Sequence, residues 1–488
     1  MASVNVLLLP EPGSGHLMSL IEAGKRLLGC RGSGDDEQSP ITVTVLVPRP
    51  ATAESAAEVD ANVRRVEASG VDGIRFHRLP PVDPPTGCAG LQEFKSRYME
   101  LQKPHVMAAA RELGAAAIVV DFFATTVVDV ARELGVPAYV YFTSTAALLA
   151  LMLRLPALDE EVAVDFEELE LNGGGAVDVP GMPPLPAQCI PGLLARKDSP
   201  NYAWFVYHGR RFMDFDGIVV NTVAELEPGL LDAISEGRVV PGRVAPPVYP
   251  IGPVIDLGVA KEKEEESDEQ WQCVRWLDAQ PPASVVFLCF GSLGYFDAAK
   301  AREVAEGLER SGHRFLWVLR GPPAPGSLHP TEADLDELLP DGFVERTKDR
   351  GLVWPRWVPQ KAVLAHAAVG GFVTHCGWNS TLESLWHGVP LAPWPRYAEQ
   401  HLNAFELVSV AGVAVAMEVD RKRDNHVEAA ELERAVRSLM DDGSEEGRKV
   451  REKAREMKDA CRKAVEEGGS SHAALQRLHD AIRRGAAA

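Results

Sequence analysis

Residues 357–400 read WVPQKAVLAHAAVGGFVTHCGWNSTLESLWHGVPLAPWPRYAEQ, and this stretch decides the fold. The apolar run at residues 370–374 predicts a short buried strand, and residues 381–387 predict a helix. Between them, residues 375–380 (HCGWNS) supply a glycine-containing turn and good helix-capping residues. Free backbone N–H groups at a helix start converge on one point, where the helix dipole adds about half a positive charge. The pattern therefore predicts an α/β protein with an anion site suited to phosphate.

A second polar turn follows the next apolar run, residues 389–394. It ends in Glu399 and Gln400, an acid and an amide, both of which hydrogen-bond hydroxyl groups well. Because the carboxyl ends of parallel strands meet at one edge of a sheet, we expect this turn beside the phosphate turn. A phosphate and a polyol held at neighbouring turns indicate a sugar nucleotide as the ligand.

The fixed residues of this stretch, W-x-P-Q, H-C-G-W-N-S-x-x-E, G-V-P and E-Q, align without a gap with a known signature. In them the chain resembles the plant family 1 UDP-dependent glycosyltransferases, in particular the flavonoid and phenolic secondary-metabolite type. The resemblance extends to the GSGH turn at residues 13–16, to VVFLCFGSLG at residues 285–294 and to the helical C-terminal end. It implies the GT-B architecture, in which two Rossmann-like, doubly wound α/β domains face each other across a cleft.

The length of 488 residues exceeds one ordinary hydrophobic core, so we expect two domains. The first, residues 1–253, would bind the acceptor, and a charged linker would span residues 254–275. The charged run at residues 261–269 is typical of such a solvated linker. A UDP-sugar-binding domain is expected at residues 276–460. A helical tail at residues 461–488 would pack back on the first domain, as the resemblance implies.

The charge and cysteine content restrict the partners and the compartment. The chain carries 50 basic and 70 acidic residues, a formal net charge of −20, which argues against nucleic acid or an anionic membrane as partner. Seven cysteines without a C-x-x-C pair indicate free thiols in a reducing compartment. No stretch approaches the roughly 18 apolar residues of a membrane span, and residues 4–9 are too short for a signal-peptide core. We expect a cytoplasmic monomer without a membrane span.

The first domain carries a candidate general base. Apolar runs at residues 4–9, 41–47 and 116–120 predict parallel strands. His16 lies in the turn after the first run, and Asp121 ends the third. A neutral histidine accepts a proton near pH 7, and a carboxylate on its other nitrogen holds the tautomer. From the residues alone a structural hydrogen bond explains the two positions equally well, whereas the resemblance implies the catalytic histidine of the family and its aspartate.

The resemblance also implies the donor site, matched position by position. It assigns the uracil to Trp357 and to the backbone of Val358, and the ribose to Gln360 and Glu383. It assigns the diphosphate to Ser292, His375, Asn379 and Ser380, and the sugar hydroxyls to Trp378, Glu399 and Gln400. Gly377 and Tyr397 complete the donor set.

Three of these assignments have alternatives. Trp357 also fits a core position, and His375 also fits a residue that closes a turn. Tyr397, like its neighbour Arg396, also fits a position that faces the acceptor. Gln400 matches the residue that accompanies glucose rather than galactose donors in the family, so the expected donor is UDP-glucose.

No metal or cofactor is predicted. His366, His375 and Cys376 lack a fourth ligand at a recognised spacing. The D-x-D at residues 214–216 lies far along the chain from the donor segment and fits a solvated turn. We therefore expect metal-independent catalysis, with UDP-glucose as a co-substrate and the departing UDP stabilised by N–H groups and the helix dipole.

Together these features predict inverting transfer of glucose from UDP-glucose to a hydroxyl of a small, lipophilic phenolic acceptor, a flavonoid in the first place, giving a β-O-glucoside. Phe122 and Phe142 would line the acceptor pocket, although each also fits the core. C-glucosylation of a phenol and O-glucosylation of a terpenoid or hormone stay open. Two other classes also remain. A non-catalytic UDP-sugar-binding protein would lack the base. A nicotinamide-dependent oxidoreductase would carry the dinucleotide-binding motif G-x-G-x-x-G, but Met18 stands at the position of its third glycine.

Overall fold

The structure, a computed structural model, describes residues 4–30, 40–171, 175–256, 271–327 and 329–487. The chain divides into two compact units. The N-terminal unit comprises residues 1–187, 193–255 and 463–488, and the C-terminal unit comprises residues 188–192 and 256–462. The boundaries expected from the sequence stay a prediction, and most of the charged linker, residues 257–270, lies outside the described residues.

The strands of the N-terminal unit are β1 Val4–Leu9, β2 Ile41–Val47, β3 Ile74–Arg78, β4 Ala115–Asp121, β5 Ala138–Phe142, β6 Ala176–Val177, β7 Leu185–Pro186, β8 Gly217–Val220 and β9 Val248–Pro250. Seven of them form a sheet in the order β3-β2-β1-β4-β5-β8-β9, and each neighbouring pair is parallel. β6 and β7 form a separate antiparallel pair. All carboxyl ends of the main sheet therefore point to one edge.

The helices of this unit are α1 Ser14–Gly29, α2 Ala53–Ala68, α3 Leu91–Leu101, α4 Lys103–Glu112, α5 Val128–Leu134, α6 Ala146–Glu161, α7 Phe166–Leu171, α8 Pro200–Arg211 and α9 Pro228–Ser235. Helix α5 is preceded by a 3₁₀ helix, Phe122–Val127, whose N-cap is Asp121.

The strands of the C-terminal unit are β10 Val285–Cys289, β11 Arg314–Val318, β12 Arg320–Pro323, β13 Pro330–Glu332, β14 Gly351–Trp354, β15 Val369–Thr374 and β16 Leu391–Pro393. Five of them form a sheet in the order β14-β11-β10-β15-β16, again with every pair parallel. β12 and β13 pair antiparallel.

Its helices are α10 Gln272–Asp278, α11 Ala298–Ser311, α12 Leu335–Leu338, α13 Phe343–Thr347, α14 Gln360–Ala365, α15 Trp378–His387, α16 Gln400–Ser409, α17 Ala429–Met440 and α18 Glu445–Val465. The last helix, α19 Ser470–Ala487, belongs to the N-terminal unit. Its Leu478 and Ile482 share a core with Val6 of β1 and Leu20 of α1.

The predicted α/β class, with two parallel-sheet units, is confirmed. The helix of the signature segment begins at Trp378, earlier than residue 381, because Gly377 provides the extended N-cap conformation. The polar turn is shorter in consequence, and residues 378–380 form the first helical turn. Among the described residues, no helix is both long enough and apolar enough to cross a bilayer.

Candidate active site

The N-terminal unit places its candidate residues at the carboxyl edge of its sheet. His16 lies in α1, which follows β1, and Asp121 is the last residue of β4. Phe122 begins the 3₁₀ helix after β4, and Phe142 ends β5. These three strands are neighbours in the sheet, so residues far apart in sequence meet at one place.

His16 and Asp121 form a hydrogen-bonded pair. Nδ1 of His16 lies 2.7 Å from Oδ2 of Asp121, and the carboxylate accepts this bond. The other carboxylate oxygen, Oδ1, accepts the N–H of Phe123 at 3.0 Å. Asp121 is fully buried, whereas 24% of the His16 side chain is exposed. A neutral imidazole that donates from Nδ1 carries its accepting lone pair on Nε2, so this nitrogen can take a proton.

An ion pair with a buried carboxylate lies beside this histidine. Oε2 of Glu11 accepts the N–H of Gly13 at 3.0 Å and lies 3.3 Å from Nζ of Lys95. The Lys95 ammonium is also 5.3 Å from the centre of the Phe123 ring, within cation–π range.

These charges decide the protonation of the base. Burial acts to lower the pKa of His16, but the charge and hydrogen bond of Asp121 raise it more, so the net pKa lies above 6.5. Glu11 adds to the rise in the pKa, and Lys95 opposes it.

Aromatic rings surround the imidazole. The ring centres of Phe122 and Phe123 lie 5.6 and 5.7 Å from that of His16. Phe122 in turn lies 4.9 Å from Phe142. Both predicted acceptor residues are buried, and Phe142 is fully so. The rings therefore form an apolar wall beside the base.

The C-terminal unit also gathers its candidates at the carboxyl edge of its sheet. Ser292 follows β10, Trp357 follows β14, His375 follows β15, and Tyr397 follows β16. The segments of the donor set thus come from four of the five strands.

One cluster joins helices α14 and α15. Nε2 of Gln360 donates to Oγ of Ser380 at 2.9 Å and to Oε2 of Glu383 at 2.8 Å. Ser380 and Glu383 are three residues apart and lie on one face of α15. The amide thereby orients a carboxylate, the group that accepts hydrogen bonds from two vicinal hydroxyls.

Trp357 presents its ring to solvent. Half of its surface, 50%, is exposed, so the alternative that it is a core residue is wrong. Its carbonyl accepts the Nε1–H of Trp354 at 2.9 Å, which anchors the segment to the end of β14. Val358, the next residue, is buried.

His375 packs between two glycines. A Cβ on Gly291 would lie 2.6 Å from Nε2 of His375, and one on Gly377 would lie 2.4 Å away. Gly291 also has a φ of +75°, which favours glycine. Burial lowers the pKa of His375 to about 4, and Arg396 contributes in the same direction, so the imidazole is neutral. Among the described residues its buried Nδ1 has no hydrogen-bond partner.

The remaining residues near α15 differ in exposure. Ser292 and Asn379 are exposed, whereas Trp378 is buried at the first position of the helix. An exposed hydroxyl and an exposed amide can reach a ligand directly, whereas Trp378 mainly packs against protein.

The turn after β16 is closed by Gln400. Its Oε1 accepts the N–H groups of Arg396 at 2.9 Å and Tyr397 at 3.0 Å. Glu399 provides the N-cap of α16. The rings of Tyr397 and His375 are 6.4 Å apart, so the predicted sugar turn and phosphate turn are neighbours.

The charged neighbours of the base were not predicted from the sequence. Glu11 lies in the turn that precedes α1, the helix of His16, and an acid two residues before Gly13 was a visible signal. Lys95 comes from α3 and carried no local signal.

The D-x-D is a structural element of the N-terminal unit. Asp214 pairs with Arg132 at 2.8 Å and with Arg211 at 3.0 Å. Oδ2 of Asp216 accepts the N–H of Ala138 at 2.8 Å. These ion pairs and this backbone bond engage both carboxylates in holding the unit together.

The chain is similar to known proteins in sequence and in structure. The family model described as UDP-glucoronosyl and UDP-glucosyl transferase matches residues 247–450. Malvidin galactosylase UGT88C3 of Oryza sativa subsp. japonica is 57% identical over 493 residues, with 100% of this chain and 99% of that protein covered. UDP-glycosyltransferase 71A15 of Malus domestica is 38% identical, with 98% of this chain and 99% of that protein covered. Phytolacca americana UGT2, solved in complex with UDP-2fluoro-glucose and pterostilbene, matches with a TM-score of 0.83 and 35% identity, covering 99% of this chain and 100% of that one.

Proposed function

The chain belongs to the plant family 1 UDP-dependent glycosyltransferases, which have the GT-B fold, and from this premise we propose that it transfers glucose from UDP-glucose to a hydroxyl of a flavonoid with inversion. The product is a β-O-glucoside. The observation that supports the mechanism is the 2.7 Å hydrogen bond between His16 and Asp121. It holds the imidazole in the tautomer whose Nε2 can accept a proton.

The reaction is a single displacement. The acceptor oxygen forms a bond to the anomeric carbon of the sugar while the bond from that carbon to the diphosphate oxygen breaks. The proton of the acceptor hydroxyl passes to Nε2 of His16, and the charge of Asp121 stabilises the imidazolium that forms. One displacement at one carbon inverts its configuration, so an α-linked donor gives a β-linked product.

Residues of the C-terminal unit hold the donor in this proposal. The exposed ring of Trp357 stacks on uracil, and the carboxylate of Glu383, oriented by Gln360, accepts the ribose hydroxyls. The N-terminus of α15, with Ser380 and the neutral His375, receives the diphosphate through N–H groups and the helix dipole. No metal ion is required for charge stabilisation of this kind.

Two donors compete in the proposal. Gln400 favours glucose by the family pattern. The relative with 57% identity, however, is named a malvidin galactosylase, and this observation favours UDP-galactose as the second candidate. Malvidin is a flavonoid, and pterostilbene, the ligand of the related structure, is a phenol. Both support an aromatic hydroxyl as the acceptor.

The test is a product assay. The protein is incubated with UDP-glucose or UDP-galactose and with a panel of flavonoids, terpenoids and simple phenols, and products are identified by mass and NMR. We expect one hexose on a flavonoid oxygen in a β linkage. An α-linked product contradicts the single displacement, and a C-linked product contradicts O-transfer. Binding of UDP without product from any acceptor favours the non-catalytic alternative.

The oligomeric state and location are further proposals. We propose that the protein is a monomer and that it is located in the cytoplasm. Light scattering of the purified chain and fluorescence of a tagged copy in plant cells test them.

A further inference from the structure

The C-terminal unit contains a cavity of about 440 Å³ at the amino edge of its sheet. Its lining includes Ala283 before β10, Gly370 at the start of β15 and Pro390 before β16. Because the strands are parallel, this edge is opposite to the carboxyl edge that carries the donor residues. The volume lies within the range of about 300–1,000 Å³ that is typical of small-molecule sites.

Helix α18 supplies a row of cations to this cavity. Arg451, Arg455 and Lys458 line it, and Arg462 continues the same helical spacing of four, three and four residues. The lining also contains His366 and His387, and Asp442 is its one carboxylate. Such a concentration of positive charge stands out in a chain whose formal net charge is −20.

The basic residues of α18 differ in their pairing. Arg448 pairs with Glu452 at 3.4 Å, and Lys453 pairs with Glu456 at 3.0 Å. Within the described ranges, by contrast, neither Arg455 nor Lys458 has a carboxylate at ion-pair distance.

Stabilisation of a helix end explains only one cation of this row, Arg451. Arg451 donates to the carbonyl of Leu439 at 2.7 Å and to that of Asp441 at 3.2 Å, at the C-terminus of α17. This is a normal role for a cation at a helix end. In the part of the chain that the structure describes, Arg455 and Lys458 make no such bond, so their charges can act on a ligand.

The charges beside His387 affect its protonation. Burial, together with the charges of Arg462 and Lys458, lowers the pKa of His387 to about 4. The imidazole is neutral at pH 7 and adds a hydrogen-bonding group without adding to the repulsion. A bound anion would relieve the mutual repulsion of the cations.

We propose that this cavity is a second anion site, which binds a small phosphorylated compound through Arg455 and Lys458, with Arg451 and His387 beside them. An arginine fork and a lysine point charge are the side chains that bind phosphate in proteins. The cavity lies at the far ends of β15 and α15 from the donor residues, so its ligand does not compete with UDP.

The test uses the full chain and inorganic pyrophosphate as the probe. Calorimetric titration is carried out at low salt with UDP present at saturation, so that the donor site is filled. We expect one equivalent of pyrophosphate to bind, and the double variant Arg455→Gln/Lys458→Gln to bind about tenfold or more weakly, because the variant lacks both charges that the proposal places on the anion. Arg448→Gln, on the same helix but outside the cavity, is the matched control and should bind like the unaltered protein.

Four results would overturn the proposal. The first is no binding of pyrophosphate to the unaltered protein under saturating UDP, and the second is equal binding by the double variant. The third is citrate that binds as tightly as pyrophosphate, which would indicate a general anion site. The fourth is a lower melting temperature of the double variant together with no pyrophosphate binding by the unaltered chain. This result would show that the cations only stabilise helix ends. UDP affinity, measured separately for each protein, shows whether the variants are folded and whether the donor site itself is intact.

Discussion

The carboxylate of Asp121 is held at both oxygens, by His16 Nδ1 at 2.7 Å and by the N–H of Phe123 at 3.0 Å. The two partners of this hydrogen bond, His16 and Asp121, are 105 residues apart in the chain. Because β1 and β4 are neighbours in the sheet, the fold itself brings them together. The pair fixes both the direction and the tautomer of the imidazole, which is the property that a general base requires.

Removal of the base should abolish most turnover. For His16→Ala we expect the rate to fall by about 10²–10⁴, the usual contribution of general-base catalysis. Asp121→Asn should also lower the rate, because an amide does not stabilise the imidazolium. UDP release with a flavonoid acceptor measures both. UDP affinity by calorimetry is the control and should not change, while near-full activity of His16→Ala would refute the assignment.

The rate should decline on the acid side at a pH above the ordinary histidine pKa of 6.5. Only neutral His16 accepts a proton, and its pKa is raised above 6.5, so kcat/KM should fall as the pH falls through that raised value. Glu11 contributes to the raised pKa, whereas Lys95 lowers it. Glu11→Gln should therefore move the acid limb to lower pH, and Lys95→Met should move it to higher pH.

The glutamine in Glu11→Gln can still accept the N–H of Gly13, so the turn is retained and the variant tests charge. Profiles of kcat/KM against pH for the three proteins decide the point. Acid limbs that coincide would show that the ion pair does not act on the base.

A single methyl group at Gly377 should disturb the donor site. The φ of Gly377 is −60°, which alanine adopts without strain, but its Cβ would lie 2.4 Å from Nε2 of His375. The imidazole must move, and we expect UDP affinity to fall by about tenfold, the loss of one hydrogen bond to a charged group.

Gly443→Ala is the matched control, because a Cβ there meets no atom within 4 Å. Isothermal titration with UDP measures both variants. Unchanged affinity in Gly377→Ala would show that His375 does not contact the diphosphate.

Trp357 should matter for binding and little for stability. Its ring is 50% exposed, so Trp357→Ala should change the free energy of unfolding by no more than about 0.5 kcal/mol. Loss of a base–aromatic stack should weaken UDP binding by about 1–3 kcal/mol. Trp357→Phe, which keeps an aromatic face, should retain most of the affinity. Equal UDP affinities of the alanine variant and the unaltered chain would contradict the stacking role.

The sequence predicted those elements whose signal is local. β1 and β2 are continuous apolar runs, and both are strands. β3, which reads IRFHR at residues 74–78, alternates apolar with charged residues because it is an edge strand with exposed side chains, and it was not predicted. Edge strands have a polar face, so apolar runs do not mark them.

The candidate site also contains some residues that the sequence predicted and others that it did not. The signature segment carries its donor residues close together in sequence, and the resemblance named them. The ion pair of Glu11 and Lys95 depends on where α3 packs, a tertiary contact without a sequence pattern. The exposure of Trp357 is likewise decided by packing, since tryptophan is common both in cores and on ligand surfaces.

A buried histidine outside the site should make the N-terminal unit sensitive to acid. His208 is fully enclosed, with Nε2 2.8 Å from Oγ of Ser96 and Nδ1 2.7 Å from Oγ1 of Thr125. Burial lowers the pKa of His208 to about 3. In the unfolded chain His208 therefore binds a proton near pH 6.5, whereas in the folded unit it stays neutral. Stability is lost as the pH falls below 6.5.

At pH 5 the expected loss from this residue is about 2 kcal/mol relative to pH 7, on the basis of about 1.4 kcal/mol per pH unit below 6.5. His208→Gln should be less stable at pH 7, because it disturbs the hydroxyl bonds, but its stability should change less between pH 7 and pH 5. Thr125→Val keeps the histidine and its burial, so it should retain the pH dependence of the unaltered chain. Urea unfolding at the two pH values measures all three proteins, and a His208→Gln variant that loses as much stability as the unaltered chain would show that the acid sensitivity has another source.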